Sequence, residues 1–136
     1  MDVLFIIGRV LFALIFIGAG TGAHLVETDA TAGYATMRGV KQAKPLTQLS
    51  GVAIILGGLG IILGVYIDVA AILVIAFTLP TALMVHHFWT DHDMLKNIEM
   101  SMFMKNLSMT GGAVIICAAA LNGSDIGPML TDPLFG

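Results

Sequence analysis

The chain has 136 residues, the length of one domain, and is 57% hydrophobic with only 11% charged side chains and a formal net charge of −3. That balance lies far from a soluble globular average and leaves no basic groove for a nucleic acid. One cysteine, Cys117, excludes an internal disulfide and any CxxC zinc or thiol-exchange motif.

Apolar stretches able to cross a hydrocarbon core of about 30 Å recur four times. They run over Val3–Ala23, Thr47–Tyr66, Val69–His86 and Met102–Leu121. The first ends in small residues, GAGTGA at Gly18–Ala23, as a signal peptide does, but Asp2 stands where a basic residue belongs, so the segment is expected to be a retained span. A long polar loop, HLVETDATAGYATMRGVKQAKP, follows, and Pro45 marks the start of the second helix. A tight turn at Ile67-Asp68 leads to the third span, where Pro80 removes a backbone hydrogen bond and predicts a kink, with Thr78 and Thr81 placed to satisfy the freed carbonyl. The segment HFWTDHDMLKNIEMS is expected to form a short interfacial helix before the fourth span. The predicted fold is all-α: a single domain over residues 1–136, folded as a four-transmembrane-helix bundle with up-down connectivity. Such a chain is an integral multi-pass protein, expected in a prokaryotic cytoplasmic membrane.

Arg38, Lys41, Lys44, Lys96 and Lys105 lie in or beside the first and third loops, which predicts those loops on the cytoplasmic side and both termini outside. Gly18-x-x-x-Gly22, Gly60-x-x-x-Gly64, LGGLG at Leu56–Gly60 and the Gly111-Gly112 pair offer flat faces for helix packing. A phosphate-binding loop needs a preceding strand that is missing here.

Several motifs in order carry a family resemblance: Gly8-Arg9, GAHL at Gly22–Leu25, Gly39–Pro45, LSGVAIILGGLGIILG at Leu49–Gly64, FTLPTALMVHHFW at Phe77–Trp89 and FMKNLSMTGGAV at Phe103–Val114. Together they resemble the DoxX family of small four-helix membrane proteins. The resemblance implies association with quinone-linked redox chemistry, since some members are similar to a subunit of thiosulfate:quinone oxidoreductase and others join membrane complexes that handle thiol or oxidative stress. Fold analogy alone fixes no reaction.

Arg9 is the most informative single residue. A guanidinium at the bilayer centre costs roughly 2.5 to 3.5 kcal/mol, so Arg9 should face the bundle or snorkel to the interface. The alternating topology puts Asp68 and Asp125 on its side of the membrane, and a buried ion pair with either is the expectation; contact with an anion or a quinone carbonyl is the functional alternative.

On the opposite side the topology gathers His24, His86 and His87, with Trp89, His92, Glu99 and Asn106 near the same boundary. Three readings are open: an interfacial structural layer with an aromatic belt, a quinone or small redox pocket, and a metal or haem site. The histidines end their spans rather than lying within them, so no metal and no resident cofactor are expected, and a quinone is the ligand the layer admits. Met84, Met94, Met100, Met102, Met104 and Met109 suggest copper, but Met100, Met102 and Met104 cannot share one helical face. Glu99, Asn106 and Thr110 follow helical spacing as a narrow polar stripe towards the bundle.

No serine–histidine–acid set or pair of intramembrane carboxylates points to a hydrolase or transferase. Two function classes remain: a subunit of a quinone-linked oxidoreductase or respiratory membrane complex that contributes to a quinone or redox-partner site, and a cofactor-free accessory subunit that scaffolds a larger complex. The expected partners are the lipid bilayer, other membrane or redox subunits and further copies of the chain, with no nucleic acid among them.

Overall fold

The computed structural model describes the whole chain, Met1–Gly136. Helix α1 spans Asp2–Ala19 and runs on as a wider π-helical turn over Gly20–Val26; α2 covers Thr28–Met37, α3 Ala43–Leu63, α4 Ile67–Met84 and α5 Asp93–Leu121, with a short 3₁₀ turn at Phe88–Thr90 between the last two. Four of these segments are long and apolar enough to cross a membrane: Asp2–Val26, Ala43–Leu63, Ile67–Thr90 and Asp93–Leu121. The exposed surface along them is apolar, as with Leu11 and Ile115, because the surrounding solvent is lipid.

The bundle is centred on α3 and α4, with α1 packed on α3 and α5 on α4. Its apolar core joins Ala13 and Phe16 to Ile54, Ile61, Ile67, Val74, Ala113 and Ala120. Small residues set the spacing, and they include Gly57, Gly58, Gly60, Gly64 and Gly112 of the expected motifs but not all of the motif glycines. Gly18, Gly22 and Gly111 face open space, whereas a methyl group on Gly20 would lie 2.8 Å from the Gly51 carbonyl oxygen. A methyl on Gly60 would lie 2.6 Å from Ala70 Cβ, which brings α3 against α4. Across the core, the Thr78 and Thr110 hydroxyls share a buried 2.8 Å hydrogen bond, with Thr78 Oγ1 also donating to Val74 O. Helix α4 continues unbroken through Pro80, and the Thr78 hydroxyl serves Val74 O rather than the Ala76 carbonyl that the proline frees.

Two connections differ from the sequence expectation. The first polar loop folds as α2, because its alanine-rich stretch is a good helix former and its threonines satisfy the wide turn before it. Thr28 Oγ1 donates to His24 O at 2.6 Å and Thr31 Oγ1 to Ala23 O at 2.6 Å, so backbone carbonyls of the π-helical turn are occupied by hydroxyls. The expected interfacial helix does not form separately. Instead α5 starts at Asp93 and runs continuously to Leu121, because no proline or glycine interrupts it before Gly111.

At the other end, the C-terminal tail folds back over the bundle. Gly64 ends α3 in a left-handed conformation (φ 65°) and lies so close to Met129 that a methyl group would sit 2.7 Å from Met129 Cα. Only glycine meets both demands at low cost. Gly64 O then accepts the amides of Leu130 and Thr131 at 3.0 and 3.1 Å.

Candidate functional site

The end of the bundle formed by α2, the C-terminus of α4 and the first turns of α5 carries a connected polar network. Tyr34 and Arg38 are one helical turn apart, so both side chains point from α2 to the same neighbours. Arg38 donates through both Nη atoms to Asp91, each at 2.8 Å, and through Nε to Val85 O at 2.7 Å. Its side chain and that of Asp91 are 9% and 8% exposed. This two-pronged pair pins the segment after α4 onto α2.

His87 completes that latch. Its Nε2 faces the Arg38 carbonyl oxygen at 3.0 Å and its Nδ1 faces Arg38 Nη2 at 3.2 Å. A carbonyl can only accept and a guanidinium can only donate, so His87 is the neutral tautomer with its proton on Nε2.

Glu99 of α5 is the centre of the network. One of its oxygens accepts the Tyr34 hydroxyl, the other accepts His86 Nδ1–H at 2.7 Å, and Arg38 Nη2 lies 3.9 Å away. Glu99 is 2% exposed and His86 8%. His86 Nε2 bonds to nothing in the chain, and it is not sealed off, since the one fully buried unpartnered side-chain polar atom is Arg9 Nε. Nε2 is therefore the one nitrogen of this ring left free for a ligand.

The charges outside the spans shift accordingly. The Arg38 guanidinium, bonded to Asp91, holds the Asp91 carboxyl below the usual carboxylate range, and that same bond raises Arg38. Burial, with the hydrogen bond and charge of Glu99 added to it, pushes the Tyr34 phenol up to about 12.

The other expected members of the histidine layer lie apart from this centre. His24 Nδ1 turns to α3, where it meets Thr47 O at 3.1 Å and Ser50 Oγ at 2.9 Å, and its ring stands edge-on to Phe77. Asn106 is buried but bonds back to Met102 O within its own helix. His92 is the exposed residue at the start of α5. Trp89 is 54% exposed and packs edge-to-face with Phe88 and Phe103, its ring centroid 6.1 Å from that of His87. No three His, Cys, Asp or Glu side chains converge as metal ligands. Sequence reasoning missed Tyr34 and Asp91 and read Arg38 only as a charge that sets topology. Their signal was the one-turn Tyr34–Arg38 spacing, which becomes visible once the loop is recognised as helical.

At the opposite end Arg9 is 6% exposed, and the ion pair expected with Asp68 or Asp125 does not form. Both oxygens of Asp68 are already used, and Asp125 is an exposed residue bonded within its own turn. The Asp68 oxygens accept the amides of Leu134 and Phe135 at 3.0 and 2.7 Å, and Asp125 Oδ1 accepts Gly127 N at 3.0 Å. Arg9 instead donates to Ile62 O at 2.9 Å, one of the carbonyls left free at the end of α3, and at 3.4 Å to Ile126 O. Beside it an apolar cleft of about 300 Å³ opens between α1 and α5, walled by Gly8 and Phe12 on one side and Gly112, Ile116 and Ala119 on the other.

Four apolar spanning helices with buried polar centres at both ends define a multi-pass integral membrane protein. The sequence model of the DoxX family matches residues 4–87, more than half of the chain, and the protein belongs to that family. Arg9, Tyr34, Arg38, His86 and His87 fall inside the matched region, while Asp91 and Glu99 fall outside it. No curated protein and no solved structure gives a match.

Proposed function

We propose that this chain is a membrane subunit of a quinone-linked redox complex, and that His86 exchanges a proton with the quinone head group. The observation that carries the reading is the state of His86: Nδ1 is fixed by a buried carboxylate, and Nε2 bonds to no protein group. Quinol oxidation releases two protons and two electrons. The lone pair on Nε2 accepts one quinol proton, and the Glu99 charge stabilises the imidazolium that results. The second proton leaves to water at the membrane boundary, and both electrons pass to a redox centre in a partner subunit. Run in reverse, the same site delivers a proton to a quinone. Tyr34 and Arg38 are positioning residues, since they act on Glu99 rather than on the quinone. The exposed Trp89 and the Phe88 and Phe103 rings beside it offer faces for a planar head group.

The single tryptophan sits next to the latch and reports on binding there. In phospholipid nanodiscs a short-tailed quinone should quench Trp89 fluorescence saturably, and His86→Gln should weaken the apparent affinity by about tenfold, the effect of one lost hydrogen bond to a polar partner. Quenching that rises linearly and is the same in His86→Gln would remove support for a quinone here and favour the cofactor-free scaffold.

A further inference from the structure

We infer that the tail over Met129–Phe135 is a membrane-interface anchor, with the Leu130, Leu134 and Phe135 side chains set among the first acyl-chain methylenes of the leaflet at that end of the bundle. Leu130, Leu134 and Phe135 are 71%, 59% and 67% exposed, yet they belong to a segment without helix or strand. Three large apolar side chains so presented mark a contact surface. Depth decides what covers them. Phe135 N bonds to Asp68, the second residue of α4, and a methyl group on Gly136 would lie 3.0 Å from the carbonyl oxygen of Ala120, one residue before α5 ends. Met129 sits against Gly64, the residue that ends α3. The tail therefore lies beside the ends of the spans and not beyond them, where head groups give way to acyl chains. It continues the lipid-facing surface of these helices, on which Leu63, Tyr66 and Leu121 are also exposed, and Tyr66 stands where aromatic residues line a membrane interface.

A backbone without helix or strand is tolerated at that depth only when its amides find acceptors inside the protein. Among the residues from Gly127 to Phe135, Pro128 and Pro133 carry no amide proton, and five others donate within the chain. Gly127 donates to Asp125 Oδ1, Leu130 and Thr131 to Gly64 O, and Leu134 and Phe135 to the two oxygens of Asp68. Only Met129 and Asp132 remain, and Asp132 is exposed, with a charge that favours water. The same accounting explains why a carboxylate is buried at the start of α4 without a cation beside it. Asp68 takes up the amides of the two adjacent residues whose side chains enter the lipid, and so acts as the positioning residue of the anchor. This surface lies at the opposite end of the bundle from His86 and stands independently of the quinone reading.

The fluorescence of an indole introduced into the tail tests the assignment. A chain carrying Trp89→Phe and Phe135→Trp would be placed in phospholipid nanodiscs at one chain per disc, where no second copy can cover the patch. Lipids brominated high on the acyl chain should quench most of its emission, and aqueous iodide should quench little. Adding Asp68→Asn should release the tail, shift the emission to longer wavelength and reverse the two quenching responses. Emission that iodide quenches and brominated lipid does not would overturn the proposal. So would protection from iodide that appears only in discs holding two chains, which would assign the patch to a second copy. Lipid quenching that survives Asp68→Asn unchanged would overturn the role given to Asp68, and the first pair of measurements decides the anchor even where that variant fails to fold. The readout comes from the other end of the bundle, so failure here leaves the quinone reading standing, and the reverse holds equally.

Discussion

Replacing Glu99 by leucine removes the acceptor around which the polar network is built. The side chain is 2% exposed and receives the Tyr34 hydroxyl and His86 Nδ1–H, with the Arg38 guanidinium 3.9 Å away. Leucine fills a similar volume, so the cost is electrostatic and not a cavity. Each stranded buried donor costs about 1 to 3 kcal/mol, and breaking a buried charge pair from one side costs about 3 to 5 kcal/mol. These overlap, because the same contacts are counted in both, and a loss of about 3 kcal/mol is expected. Equilibrium unfolding in mixed detergent micelles, followed by circular dichroism and by Trp89 fluorescence, measures it. Adding Tyr34→Phe to Glu99→Leu removes one stranded hydroxyl and should recover about 1 kcal/mol. A Glu99→Leu protein within about 0.5 kcal/mol of the wild type, or strict additivity of the two changes, would refute the reasoning, because that is how substitutions away from structural features behave.

The Tyr34 phenol, held up to about 12 chiefly by burial, keeps its proton in the folded state after an unfolded chain has lost it at about 10. Its contribution to stability is therefore fully present below about pH 10 and disappears as the pH rises towards about 12. The near-ultraviolet phenolate absorbance lost in Tyr34→Phe should have that high midpoint, and Glu99→Gln should lower it. Asp91 has the opposite sign: its carboxyl is depressed by Arg38, so the latch is stabilising above the ordinary carboxylate range and fails as the pH falls through the lowered value. An acid titration of Trp89 fluorescence should show that step in the wild type and lose it in Asp91→Asn. At the other end, Asp68→Asn replaces one of the two oxygens that hold the Leu134 and Phe135 amides with a donor. Amide exchange at these two residues should speed up by about tenfold or more while exchange in the core of α4 stays unchanged.

The four spans were legible because apolar runs of membrane-spanning length need no tertiary information to be recognised. The burial of Glu99, Asn106 and Thr110 was equally open, since their spacing puts them on one helical stripe facing the bundle. What depended on tertiary contact was harder to see. Gly20 and Gly51 form a close crossing without belonging to a common motif, while Gly18 and Gly22 satisfy the motif and face outward. The expected pairing of Arg9 gives way because the backbone amides of the tail compete for Asp68, and a sequence does not reveal where a tail folds back. Tyr34 was hidden because its loop reads as polar, and it gains importance only when α2 docks it onto Glu99.

Nitrogen NMR of the His86 imidazole reads the central claim directly, with His86→Gln used to assign its two signals. Nδ1 should carry the ring proton, because Glu99 accepts from it, while Nε2 should be the bare nitrogen and shift when a short-tailed quinol is added to protein in nanodiscs. A neutral ring that carries its proton on Nε2, or an Nε2 signal that does not respond to the quinol, would contradict the account.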